Sequence, residues 1–277
     1  MPLYKTRATS SCGSRALIAI ICALSTTYLG ASDYLVVDLS GGLRAERRPV
    51  RTSDAPPDIS KDDCRTRELW LRRIPGAHGL CMAVFEVTQA QYAEVSGENP
   101  SRHTGRSRPV ENVSWNEAAS FAAALARQTG LSVDLPTDAE WELSCRAGTK
   151  TEFYNGREPR SHFSPELNPI ARYRNNRHDG KGDGQAEHVR VGSYQPNGWG
   201  LYDMLGNVSE WTSNWYSDKF PDNRYKSLRG GNWYISTGPY CTASDRSMAW
   251  YVCSTPEWKS DLAGFRVVVR EGKAVGR

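Results

Sequence analysis

Asp203 and Glu210 stand either side of a short turn that contains Gly206 and Asn207. Two carboxylates spaced this way suit a hard cation with oxygen ligands, and the carbonyls of Gly206 and Val208 between them could complete the set. Calcium is the ion this chemistry predicts. A second polar stretch, residues 175–184, echoes an EF-hand loop through Asn175, Asp179 and Gly180, but Arg177 and Ala186 fill the third and twelfth ligand positions, so that reading fails. Thiol chemistry is sparser than the seven cysteines suggest. No C-x-x-C occurs, which disfavours zinc held by paired thiols. His78, His103, His162, His178 and His188 never fall within four residues of one another, which removes the two-histidine helix motif of zinc proteases. Their spacing leaves open whether any of them meet in the fold, and each is read as a surface residue. No G-x-S-x-G elbow, phosphate-binding loop or dinucleotide fingerprint is present.

These residues need a scaffold, and the 277-residue chain supplies one rich in loops. It has 24 Gly, 15 Pro, 9 Trp and 13 Tyr, a profile that argues against coiled coils and helical solenoids. Charged residues at 24% and hydrophobic residues at 39% exclude wholesale disorder and a multi-span membrane protein. The formal charge of +4 collects partly at the N-terminus and in the run 44–51, with no zinc-finger or helix-turn-helix pattern beside it, so no nucleic-acid partner is expected. Three helix starts share one signature, a Ser or Thr followed three residues on by Glu or Gln: Thr88 to Gln91, Ser114 to Glu117 and Thr137 to Glu140. Stops are expected near Gly97, Gly130 and Gly148. Strands are expected at 34–39, 69–74, 188–191, 227–229 and 264–269, the last apolar enough to lie inside a sheet. Trp199, Trp211, Trp215 and Trp233 are read first as core packing, each able to bury about 150 to 250 Å².

At the N-terminus, Lys5, Arg7 and Arg15 precede an apolar run, 16–24, followed by small and polar residues up to Ala31. This is the pattern of a secretory signal; the run falls short of the roughly 20 apolar residues of a membrane span, although an uncleaved anchor would also fit. Export to the periplasm, cell surface or medium follows as the expectation, with no other membrane span. Cys12 and Cys22 would then be lost with the signal, leaving Cys64, Cys81, Cys145, Cys241 and Cys253, an odd number whose pairing spacing cannot decide. The predicted organisation is a signal over 1–31, a strand and linker over 32–68, one domain over 69–270 and a tail over 271–277.

Several segments taken together are more specific: Val84-Phe-Glu-Val-Thr-Gln89, Arg108-Pro-Val-Glu-Asn-Val-Ser-Trp115, Asp134-Leu-Pro-Thr-Asp-Ala-Glu-Trp-Glu142, Cys145-Arg-Ala-Gly148, the long run from Pro196 to Trp211, Leu228-Arg-Gly-Gly-Asn-Trp233 and Gly264-Phe-Arg266. In this order and spacing the chain, over about 69–269, resembles the formylglycine-generating enzyme family, or sulfatase-modifying factors. The resemblance implies an α+β fold, a loop-rich variant of the C-type-lectin fold with short helices and small antiparallel sheets. It also implies a calcium site at the positions of Asp203, Gly206, Val208 and Glu210.

Active members of that family oxidise a sulfatase cysteine to formylglycine with a copper ion held by two nearby cysteines, and soft thiolates suit copper(I). Here Ile235 stands where the first thiol is expected, and Cys241 is what remains of the pair, displaced by one inserted residue. Cys253 lies twelve residues further on, where the family places no ligand. Ser209 replaces a usual Trp, and Ala263 interrupts the usual approach to Phe265-Arg266. The resemblance therefore implies a calcium-stabilised, non-catalytic binding or scaffolding module whose partner is a peptide, a glycan or an envelope protein. The alternative is an active copper oxidase acting on a sulfatase through Cys241.

Overall fold

The computed structural model describes residues 32–41, 48–160, 164–178, 187–216, 223–235, 238–247 and 252–272. The expected signal segment and most of the 175–184 loop lie outside them. The first described strand, β1 (Tyr34–Asp38), is buried on both faces, as its unbroken apolar run requires. It pairs antiparallel with β2 (Val50–Ser53) on one side and β3 (Glu68–Arg73) on the other, with Leu35 opposite Leu71 and Val36 opposite Trp70. The sequence sets 32–68 apart as strand and linker, yet β1 sits within the domain's own sheet, and the compact unit begins at Asp33 rather than Leu69.

That sheet has six strands in the order β2-β1-β3-β4-β9-β5, with β4 (Leu80–Ala83), β5 (Val133–Asp134) and β9 (Val268–Arg270). A second sheet of three strands, β7-β6-β8, is built from β6 (Ser209–Trp215), β7 (Lys226–Arg229) and β8 (Ala263–Gly264). The run 264–269, expected as one strand, divides between the two sheets. β8 runs parallel to β6, β9 pairs with β4 and β5, and the residues between them let Arg266 turn toward Glu210 on β6. No strand forms at 188–191, because its amides are taken elsewhere: Val189 N–H donates to Asn207 Oδ1 and Val191 N–H to the Ser107 carbonyl.

A four-residue helix, α1 (Asp63–Thr66), precedes β3. The three main helices, α2 (Gln89–Ser96), α3 (Trp115–Thr129) and α4 (Asp138–Arg146), start at Thr88, Ser114 and Thr137 as predicted, each with the reciprocal pair of capping hydrogen bonds. α2 and α3 end on Gly97 and Gly130 in the left-handed region, while α4 ends one residue before its expected glycine, at Ala147. α3 buries Ala118, Phe121, Ala122 and Leu125, and the Phe121 ring stacks on Tyr92 of α2 at 5.5 Å and meets Phe265 edge-on at 5.3 Å. Helix packing thus fixes the neighbour of Arg266. Of the tryptophans read as core, Trp211 and Trp233 are buried and Trp199 packs partly against the core, whereas Trp215 is 36% exposed.

Candidate functional site

The turn expected to carry calcium is built by left-handed backbone at Asp203 (φ 54°), Gly206 (φ 76°) and Asn207 (φ 59°). Gly206 has no substitute, since a Cβ there would lie 2.3 Å from the Arg172 carbonyl oxygen. The turn delivers Asp203 and Glu210 into the protein interior, where Glu86, just beyond β4, joins them; all three are buried. Each carboxylate has a different set of donors. Glu210 accepts a two-pronged bond from Arg266, Nη2 at 2.6 Å and Nε at 2.7 Å, and a third bond from Trp141 Nε1 at 2.7 Å. Glu86 accepts from Asn207 Nδ2 at 2.6 Å and the Val208 amide at 3.1 Å. Asp203 accepts at Oδ2 from the Gly192 amide at 2.6 Å, but its Oδ1 is buried with no partner.

Electrostatics follow from this crowding. Burial pushes the Glu86 carboxyl well above the usual range, and the charges of Asp203 and Glu210 push it further. Burial likewise raises Asp203 to about 6, against the pull of the Gly192 amide and Arg266. Arg266 offsets one of three carboxylates, so two protons or one divalent cation would neutralise the rest. Asp203 Oδ1 is the available acceptor, a donor type that fits a hard cation. Glu210 is already bound by Arg266, and no three His, Cys, Asp or Glu side chains among the described residues converge as a metal would need. A cation here would rest on Asp203 and the carbonyls of Gly206 and Val208, sharing Glu210 with Arg266.

The thiol region is apolar. Cys241 has no exposure and lies in one buried cluster with Ile235, Trp141, Phe153, Tyr173 and Leu205. Burial pushes its thiol up to about 12, so at neutral pH the metal-free protein holds it as a protonated thiol. Gly231 closes over it: a Cβ at that position would fall 2.5 Å from the Cys241 sulfur. Cys145 shares the cluster but directs its thiol at the Met204 carbonyl, 4.0 Å away, and neither Cys145 nor Cys241 forms a disulfide. Cys253 is exposed while Cys241 is sealed, an arrangement unlike the shared pair a thiolate-bound ion needs.

Sequence spacing kept the histidines apart, yet His103 and His188 meet edge-on at 5.4 Å. His103 faces carboxylates at both ring nitrogens, Glu187 at 2.6 Å and Asp261 at 3.3 Å, and its ring abuts Trp233. His188 is fully buried, with Nε2 3.6 Å from Glu111 and neither ring nitrogen hydrogen-bonded; burial pushes it down, toward the neutral form. Partners as much as 158 residues apart leave no local signal for this cluster.

The sulfatase-modifying factor enzyme 1-like domain matches residues 61–271. The chain is 34% identical over 183 residues to the formylglycine-generating enzyme of Streptomyces coelicolor, covering 59% of this chain and 53% of that protein. It is 32% identical over 166 residues to the inactive C-alpha-formylglycine-generating enzyme 2 of Mus musculus (60% and 50% covered), and 30% identical over 198 residues to the chaperone protein LppX of Paenibacillus barcinonensis (55% and 68%). The chain spans about half the length of the formylglycine-generating enzymes it matches. Among solved structures, Treponema denticola variable protein 1 superposes with a TM-score of 0.58 at 26% identity, covering 69% of this chain and 84% of that one. PvdO from Pseudomonas aeruginosa shares the fold at a TM-score of 0.53 and 22% identity, covering 69% of this chain and 80% of that one. With more than half of its length matched, this chain belongs to the sulfatase-modifying factor enzyme 1-like domain family.

Proposed function

We propose that this protein is an exported, non-catalytic member of its family, a binding or scaffolding module in place of an oxidase. One observation carries the reading: where a copper-binding pair would stand, Ile235 and a sealed, protonated Cys241 belong to one apolar cluster. A soft ion needs two reachable thiolates, and the cluster presents none. The likeness to a relative named as an inactive enzyme is in keeping with this. Export is supported by the basic and apolar pattern at the N-terminus, which lies outside the described residues. No helix among the described residues is long and apolar enough to cross a membrane.

Calcium, on this reading, is a structural ion. Asp203 would hold it with the carbonyls of Gly206 and Val208, and its charge would replace the protons that the buried carboxylates otherwise require. The residues around the turn orient Asp203 through the Gly192 amide and anchor Glu210 through Arg266 and Trp141. The test of function is incubation of the reduced, copper-supplemented protein with a sulfatase peptide of the form Cys-x-Pro-x-Arg, followed by mass spectrometry. An unchanged peptide is expected. Conversion of its cysteine to an aldehyde would establish the oxidase instead.

A further inference from the structure

We propose that the surface formed by Arg174, Tyr234 and Arg102, over the buried Trp233, docks an acidic segment of a partner protein. This rests on the non-catalytic reading above and gives it a partner class. Tyr234 is 53% exposed, one of the few large apolar side chains left at the surface among the described residues. It is nevertheless held in place. Its amide donates to Asn232 Oδ1, the Asn232 side chain donates to Ser209, and its ring meets the Trp233 ring edge-on at 5.6 Å. Trp233 is itself fixed, with Nε1 donating to the Asp261 carbonyl at 3.0 Å and its ring meeting the His103 ring at a near-right angle, centroids 5.8 Å apart. An exposed aromatic pinned by its neighbours loses little conformational freedom when something binds.

Charge decides the partner. The Arg174 guanidinium lies 5.1 Å from the Tyr234 ring centroid, its backbone N–H donates to the Ile235 carbonyl, and it has no carboxylate partner among the described residues. Arg102, whose side chain is 75% exposed, reaches Asp261 at a long 3.4 Å at the other end of the same run of contacts. The carboxylate-free Arg174 and the loosely paired Arg102, beside an exposed Tyr backed by a buried Trp, are residue types enriched in protein-interface hot spots. Guanidiniums also bind carboxylates in two-pronged fashion. Two guanidiniums, counted among the described residues, are fewer than the longer basic footprint that a nucleic acid or a sulfated glycan calls for.

The experiment uses the full chain and a fluorescein-labelled dodecapeptide alternating Glu and Tyr, followed by fluorescence anisotropy at low and moderate salt. A second peptide carries Lys in place of Glu, and a heparin oligosaccharide serves as a polyanion of another class. Saturable binding of the acidic peptide is expected, weakening as salt rises, with Arg174→Ala and Tyr234→Ala each about tenfold weaker and Arg174→Lys in between. Both positions are exposed, and matching melting curves verify the fold of each variant. Absence of saturable binding, equal binding by the Lys peptide, or indifference to both variants would overturn the proposal. So would heparin binding tighter than the peptide and lost in the same variants, which would mark the surface as a glycan site. A failure here with the sulfatase peptide unoxidised leaves the non-catalytic reading intact, whereas oxidation of that peptide removes the reading whatever the acidic peptide does.

Discussion

Asp203→Asn separates the two ways in which the buried acidic cluster can be neutralised. Asp203 is raised from the ordinary 3.8 to about 6 by burial, a difference worth about 3 kcal/mol at most. The sign follows from proton counts. Between about pH 4 and pH 6 the folded state holds a proton on Asp203 that the unfolded chain has released, so stability falls as pH rises through that window and levels off above it. Asparagine keeps the oxygen that accepts from Gly192 and removes the charge. In EDTA the variant is therefore expected to be more stable than the parent at pH 7.5, by up to about 3 kcal/mol, and nearly equal to it at pH 4. Calcium is expected to raise the parent's melting temperature more at pH 7.5 than at pH 5, because proton and metal compete for Asp203, and to help the variant less. Urea unfolding at the pH values named, with and without calcium, supplies the free energies. A variant destabilised equally at both pH values in EDTA would refute the electrostatic reasoning, and a calcium response untouched by the substitution would refute the ion's placement.

Glu210→Gln leaves Arg266, a fully buried cation, without its charged acceptor and is expected to cost about 3 to 5 kcal/mol in urea unfolding; a loss below about 1 kcal/mol would show the pair to be dispensable. Gly206→Ala forces a methyl group to within 2.3 Å of a backbone oxygen at a left-handed position, so insoluble expression or a collapsed melting transition is expected, and a parental melt would contradict the geometry. Cys241 should resist thiol reagents in the folded protein and react only on unfolding, and Cys241→Ser should lose about 1 to 3 kcal/mol by placing a hydroxyl in an apolar cluster; rapid labelling of the native thiol would count against its sealing. Burial holds the His188 pKa down, so the unfolded chain takes up its proton first as pH falls below about 6.5 and stability declines. His188→Gln should flatten that decline in pH-dependent melts.

Local chemistry was readable and long-range chemistry was not. The three capping boxes could be seen because each involves residues four positions apart at most, and all three form. The Asp203 to Glu210 turn was visible for the same reason. Glu86 and Arg266, which set the turn's electrostatics, come from segments whose hydrogen bonds to it cross 121 and 56 residues, beyond any spacing rule. β4 was missed because four consecutive buried residues show no alternation, and β6 because its Ser, Glu and Asn residues read as loop until Arg266, the basic partner of Glu210, is known. The 264–269 run looked like one strand from its apolar residues, but a buried Glu210 demands Arg266, and meeting it divides the run between two sheets. The fate of Cys241 was legible in part: Ile235 signals a lost pair, while the sealing by Gly231 needed the fold.

The proposed function stands or falls on the described residues holding no two-thiolate site for a soft ion. Copper(I) titration of the fully reduced, folded chain against a competing chelator, alongside Cys241→Ala, tests it directly. No stoichiometric high-affinity copper(I) binding is expected, and no difference between the two proteins. One tightly held equivalent that disappears in Cys241→Ala would contradict it.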